Sequence, residues 1–517
     1  MRRLITALLL VLSGCSPAPA PIPAPERAVS ARAVEPGTRP LRLVIRGDLS
    51  SFDPHRHLAI VAYSVLGNLY QPLVGWDAES RVVPALAERW EQEDQRRFTL
   101  HLRSGVRFHH GALLTVEDVL FSLRRARDLD GSKVSVFLRS VEAIRAGSEP
   151  GSVVIELERA DPFFLDSLAH VSIVPRGSPD EIDRPTGTGP YRFVAYEPGK
   201  RILLRRFFAG HLPALPQEQL EPELEFLIES DAAAAVALLE RGEVDLVYGL
   251  PASLAARVEA DPELWVESRL GGGTVFLDLN HGAAPFDDPR VRRAVDLALD
   301  REGLSRGVTL NHSRPAGQML LPGIVGHDPE LAPTRRDVNA ARRLLVEAGH
   351  GDGVEFRLET TRANAVAGAA IAEQLGEAGF RVEVVTRPWP ELYADLNAGR
   401  PAAWLGTWIF DSADGAVFFG SAFHSRSADG RWGSLYLRPD QTPRDEALEA
   451  EIRAAFDEAD LERRTEVLQD LNRRTTALHT RIPLYWPLDL YGIRRQLEWK
   501  ARKDSALWAV EMYRKPG

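Results

Sequence analysis

A single cysteine, Cys15, stands among 517 residues, alongside only three methionines. With one thiol no internal disulfide can form, and no CxxC pair exists to hold zinc or run redox chemistry. No P-loop, HExxH helix or dinucleotide-binding glycine fingerprint occurs, so no cofactor is expected. No run is apolar for the roughly 20 residues a membrane-spanning helix needs. Positive charge is in deficit too. Lys and Arg, mostly Arg, total 63 against 73 Asp and Glu, for a net charge of −10. An acidic body argues against nucleic acid as a partner. No carboxylate pair stands out as an acid–base couple. Gly303-Leu-Ser305-Arg-Gly307 spells the letters of a nucleophile elbow, but that Ser must sit on a strand-to-helix turn, and here it trails a helix. An exported hydrolase, with Ser305 or a carboxylate as the active group, is the reading from another class, and it lacks an assembled set of nucleophile, base and orienting group. His55/His57 and His109/His110 are too close along the chain to converge on a metal with other donors, so structural roles are expected.

What is present begins with Met1-Arg2-Arg3, the apolar run Leu4–Leu12 and the small residues Ser13-Gly14. A basic start, a short apolar run and small residues form a secretory signal. Leu-Ser-Gly-Cys resembles the bacterial lipoprotein box. That resemblance implies removal of residues 1–14 and lipidation of Cys15, taking the net charge to −12 as Arg2 and Arg3 leave. Each buried methylene of an acyl chain contributes about 0.8 kcal/mol, and two chains make a lasting membrane anchor. Residues 15–39 follow as a linker, and the Pro/Ala-rich Pro17–Pro25 makes it an extended, semi-stiff spacer.

Beyond the linker, strand and helix patterns alternate, which predicts an α/β class. Leu41–Arg46, Phe98–Leu102, Val153–Leu157, Arg201–Arg205 and Thr274–Leu279 read as strands. Pro84–Trp90 reads as a short helix. Thr115 and Asp118 spell a capping box opening a helix to about Ala126. Asp288 and Asp337 each cap an amphipathic helix, with Pro289 placed at a first helical position, and Asp231–Arg241 reads as an Ala/Leu helix closed by Gly242. Residues 354–360, 367–378 and 380–385 form a strand–helix–strand unit. Gly271–Gly273 precedes a strand rather than opening a helix, and reads as a flexible joint.

Several phrases, taken in order, resemble the peptide/nickel family of solute-binding proteins of ABC importers (family 5). They are SFDPHRH, NLYQPLVGWD, PALAERW, the stretch from Phe98 to Leu123, TGTGPYRF at Thr186–Phe193, LERGEVDLVYG, PFDDPRVRRAVDLALDRE and ARRLLVEAG. The resemblance runs from about Leu41 to the C-terminus. It implies a two-lobed clamshell of the large class, with no catalysis. Lobe I would comprise residues 40–72, 188–275 and 484–517. An inserted subdomain would span 73–187, and lobe II 276–483. The chain would cross between lobes near Gly271–Asn280 and Thr480–Pro487. Such a protein works outside the cytoplasm, as a monomer, handing its solute to an ABC permease.

The same resemblance implies a ligand site in the stretch Leu405–Ser425. Trp408 would line the pocket, Thr407 and Ile409 would offer backbone hydrogen bonds, and Asp411 would take a peptide's ammonium group. A desolvated ammonium needs a carboxylate, since a lone buried charge is prohibitive. The chain departs from the family pattern directly after Asp411. Arg362 resembles the position that holds a ligand carboxylate in dipeptide-binding relatives, and a guanidinium fork suits that group. Tyr485, with Trp486 and Tyr491, lies near the second crossing and reads either as a wall of the cleft or as core packing. His424 falls near the histidine of nickel-chelate relatives. Short peptides are the expected ligand; an oligosaccharide, an opine or a nickel chelate is the alternative on the same scaffold.

Overall fold

A computed structural model describes residues 39–207, 221–410, 412–425 and 445–515. The proposed signal, Cys15 and most of the linker lie outside the described residues, as does Asp411. The class is α/β. Among the described residues, twelve strands share one sheet, and a four-stranded antiparallel sheet stands apart from it.

The strand Arg481–Arg494 joins the two ends of the large sheet. Its first half pairs with Gly273–Leu279 and Ser313–Pro315, and its second half with Leu246–Tyr248 and Leu264–Leu270. One end of the sheet continues through Leu41–Ile45 and Glu223–Ile228, and the other through Ala403–Ile409 and Val354–Thr360. Gly271 and Gly272 separate two strands that would otherwise be continuous, Leu264–Leu270 and Gly273–Leu279.

Three large apolar cores follow from this. One gathers Leu43, Phe52, Tyr191, Leu224 and Tyr491. A second gathers Leu277, Val295, Leu358, Ile371 and Leu405. A third, under the four-stranded sheet, gathers Phe98, Leu123 and Ile155. Local chemistry sets the element ends. Thr115 and Asp118 form the reciprocal capping box of helix Val116–Asp128. Asp231, Asp288 and Asp337 accept N–H bonds from the first turns of Ala232–Glu240, Pro289–Ala298 and Val338–Glu347. Each cap satisfies an amide that the helix itself leaves without a partner.

One element differs from its sequence reading. Pro84–Trp90 is not a helix; it belongs to the strands Val82–Pro84 and Ala87–Glu93. Trp90 pairs across to Leu100, and Gln92 to Phe98. Pairing with the alternating strand Arg97–Leu102, which buries Phe98 and Leu100, overrides a local preference set by Ala and Glu.

The Thr186–Phe193 motif owes its glycines to close backbone approach. A Cβ on Gly189 would stand 2.6 Å from the Asn68 carbonyl oxygen, and one on Gly187 would run into the Leu69 carbonyl. His109 fixes the motif from the other side. The Gly187 N–H donates to His109 Nδ1 at 3.2 Å, and Nε2 of the same ring donates to the Gly189 carbonyl at 3.1 Å. Burial lowers the His109 pKa to about 4, so the ring is neutral and its tautomer follows from these two bonds. No helix among the described residues is long and apolar enough to cross a membrane.

Candidate functional site

A cleft of about 910 Å³ is lined by Leu66 and Tyr70 of the first core, by Ala169 of the third, and by Leu321, Ile324 and Phe410, which belong to or pack on further apolar clusters. That volume suits a ligand of drug or small-peptide size. Its first wall starts at the turn Pro54–Arg56, capped by Asp53, whose Oδ1 accepts the His55 N–H at 2.9 Å. Behind this turn Arg125 grips Asp53 through two bonds, at 3.0 and 2.5 Å, and donates to His55 Nδ1 at 2.8 Å. His55 Nε2 in turn donates to the Ser172 carbonyl at 2.9 Å. Burial lowers the His55 pKa to about 4, which keeps Nδ1 available as an acceptor.

The face that this network supports is aromatic. Phe137 and His170 stack in parallel, with centroids 3.9 Å apart. Trp76 meets the His170 ring edge-on at 4.7 Å, and Tyr63 hydrogen-bonds His170 Nδ1. The Trp76 indole N–H donates to Asp166 at 3.0 Å. Burial pushes the Asp166 carboxyl up, against the pull of that bond. All five side chains line the cleft.

The floor is the joint between the sheet ends. Gly271 and Gly272 line it, with Arg269 paired to Glu79 at 2.6 Å. Fully buried Arg502 donates to the carbonyls of Trp76 and Asp77, both at 3.0 Å, and lies over the Trp508 ring at 4.5 Å. It also binds Asp504 and Glu511, so these two of the cleft-lining carboxylates share one guanidinium.

The second wall comprises Leu321–Ile324, Ile409–Phe410, Ser412–Ala413 and Val417. Asp414 caps the helix Gly415–Phe423 and pairs with buried Arg464 at 2.6 Å. The walls touch. Arg464 lies 5.4 Å from the Phe163 ring centroid, and Arg159 stands 4.0 Å from Asp457 at the rim. The Lys503 amine packs directly against Gly323.

Residues 81–430 match the model of the bacterial extracellular solute-binding proteins, family 5. The chain belongs to that family. It is 27% identical over 378 residues to heme-binding protein A of Haemophilus influenzae, covering 64% of this chain and 67% of that one. The dipeptide-binding protein of Escherichia coli is 26% identical over 433 residues, covering 76% of this chain and 79% of its own. Among solved structures, HbpA2 of Haemophilus parasuis superposes with a TM-score of 0.80 at 22% identity, over 92% of this chain and all of that one. The fold is the two-lobed clamshell of these proteins. This family 5 protein is a binding protein and not an enzyme. Ser305 is buried inside helix Arg301–Val308, not on a strand-to-helix turn, and its hydroxyl donates to the Ser313 carbonyl at 3.1 Å.

The residues named from the sequence are distributed as follows. Ile409 lines the cleft and is 62% exposed. Trp408, on the opposite face of the same strand, packs edge-on against Phe418 at 5.3 Å and under the Arg481 guanidinium at 5.6 Å. Thr407 is exposed on this strand, opposite Val275. Asp411 lies outside the described residues, while its chain neighbours Phe410 and Ser412 line the cleft. Arg362 is exposed in the turn that follows Val354–Thr360 and is not among the lining residues. Tyr485 is buried in the core of Leu277 and Leu358. His424 is buried too, with Nδ1 on the Ser425 carbonyl at 2.9 Å and Nε2 facing Arg453 at 2.8 Å. No group of three metal-ligating residues occurs among the described residues. Sequence reasoning missed Tyr63, Phe137, Asp166 and His170, whose only signal was aromatic and acidic residues on short, weakly periodic elements. Trp76 stood inside a phrase already recognised for its family resemblance, NLYQPLVGWD.

Proposed function

We propose that this protein captures short peptides in its cleft and delivers them to an ABC permease, tethered to the membrane through lipidated Cys15. In this reading lobe I comprises residues 40–72, 188–275 and 484–517, the inserted subdomain 73–187, and lobe II 276–483. Closure of the lobes around the peptide is what the permease senses. Moving such an equilibrium from 1:99 to 99:1 takes about 5.5 kcal/mol of differential binding.

One observation carries the peptide reading. The strand Ala403–Ile409 pairs along its whole length with Gly273–Leu279, but on its other side only Ala403–Leu405 pair, with Leu358–Thr360. From Gly406 to Ile409 the strand has an edge without a strand partner among the described residues, and it runs directly to the cleft-lining Phe410. An extended peptide can add to such an edge by main-chain hydrogen bonds. The dipeptide-binding relative supports the same ligand class, and Asp411 follows at the end of this edge to accept the ammonium. Calorimetry with dipeptides tests the assignment. Asp411→Ala weakens binding by 2 kcal/mol or more, about 30-fold, as loss of one partner of a desolvated charge pair does. Unchanged affinity removes Asp411 from the site. Cys15→Ser releases the protein into the soluble fraction; continued membrane association refutes the tether.

A further inference from the structure

Large apolar side chains that remain exposed in a folded protein mark contact surfaces when they cluster. Here five of them line one cavity from both sides. Leu58, Ile60 and Val136 are 41, 38 and 41% exposed on the first wall, facing a cleft whose second wall presents Ile409 and Val417 at 62 and 38%. The charges around them are mostly neutralised within the protein. Asp77 holds Arg81, Glu79 holds Arg269, and Asp504 and Glu511 share Arg502. Of the Lys and Arg side chains that line the cleft, Lys503 has no ion-pair partner among the described residues. It is half-buried, and its amine packs against Gly323 of the opposite wall, so it sits where the two walls meet.

We propose that the cleft selects peptides with bulky apolar side chains, and that Lys503 receives the peptide's terminal carboxylate. The proposal rests on the peptide reading above. A polar or glycine-rich peptide would leave the five aliphatic side chains in contact with water. An apolar one removes both surfaces from water, and each fully buried leucine-sized side chain favours binding by about 1.5–3 kcal/mol. The Lys503 ammonium acts on Glu79, whose carboxylate Arg269 already holds, so a closing cleft calls for a further anion, and a free carboxyl terminus supplies one.

Calorimetry on the full-length chain in detergent, with Leu-Leu, Gly-Gly and Leu-Leu amide as probes, tests both halves. Leu-Leu is expected to bind at least 100-fold more tightly than Gly-Gly, and Ile409→Ala to narrow that gap. Amidation of Leu-Leu is expected to cost the wild type at least 10-fold and Lys503→Gln less than 3-fold. Neither substitution alters a core residue, and thermal melting of each variant checks its fold. Equal binding of Leu-Leu and Gly-Gly overturns apolar selection while leaving the peptide reading intact. An equal amidation penalty in wild type and Lys503→Gln overturns the role of Lys503. Failure of all free peptides to bind, with hemin binding instead, overturns the peptide reading and this proposal with it.

Discussion

Each wall of the cleft is backed by a buried arginine–aspartate pair, but the two pairs face different ways. Arg125 and Asp53 close on each other, on His55 and on main-chain carbonyls behind the first wall. Among the described residues, nothing from the second wall completes them. Arg464 and Asp414 hold the end of the second wall, yet Arg464 also lies over Phe163 from the opposite side of the seam. Asp161, beside Phe163, has its carboxyl pushed up by burial and then by the nearby Asp414. The first wall's pair is therefore satisfied from its own side of the cleft, whereas the second wall's pair also meets a side chain across the seam. A clamshell needs both: a rigid face to present to the ligand, and a contact whose environment changes on closing.

The largest effect that tests this contrast comes from Asp53→Ala. It leaves Arg125 buried without its carboxylate, and urea unfolding should show a loss of about 3–5 kcal/mol. A loss below 1 kcal/mol would mean the first wall is not held from behind. Next is acid. In the unfolded chain a histidine takes its proton near pH 6.5, whereas His55 and His109 in the folded protein do so only near pH 4. The unfolded state therefore binds more protons between these values. Stability falls as pH drops through that window, by about 3 kcal/mol for the fully buried His55 and by less for the part-buried His109. His55→Gln should flatten part of that slope; an unchanged slope would show the ring to be protonated already. Smaller still is Phe163→Ala. Removing a cation–π partner worth about 1 kcal/mol should shift the population toward the open form, seen as a larger radius of gyration by X-ray scattering, with the unfolding midpoint little changed. If instead the radius stays fixed, Arg464 does not sense closure. At the bottom of the scale is Arg159→Ala, whose partner Asp457 is 4.0 Å away at an exposed rim. No more than about 0.5 kcal/mol is expected in ligand affinity, and less in high salt.

Much of the scaffold was legible because its signals are local. Thr115, Asp231, Asp288 and Asp337 cap their helices through contacts two or three residues away, and a reader needs only the adjacent sequence to see them. Strand Val354–Thr360 and its partner Phe380–Thr386 likewise announce themselves by alternation. The misreading at Pro84–Trp90 has the opposite cause. Only Ala87 is buried in the strand Ala87–Glu93, so the segment carries little pattern of its own, and its structure is imposed by Arg97–Leu102. The site was less legible than the scaffold. Strand Ala403–Ile409 alternates, and the sequence alone could not say which of Trp408 and Ile409 turns to the cleft. Pairing with Gly273–Leu279 places Trp408 on the side of Phe418 and Arg481.

The sequence by itself determined the α/β class, the caps of four helices, the family resemblance and, with one cysteine, that no internal disulfide forms, because each follows from residue types or their short spacing. Only the tertiary structure decided which side chains meet in the cleft. Tyr63, Trp76, Phe137, His170 and Lys503 come from segments as much as 440 residues apart. Neighbourhoods of that kind are created when packed cores remove apolar surface from water, and no local pattern along the chain records them.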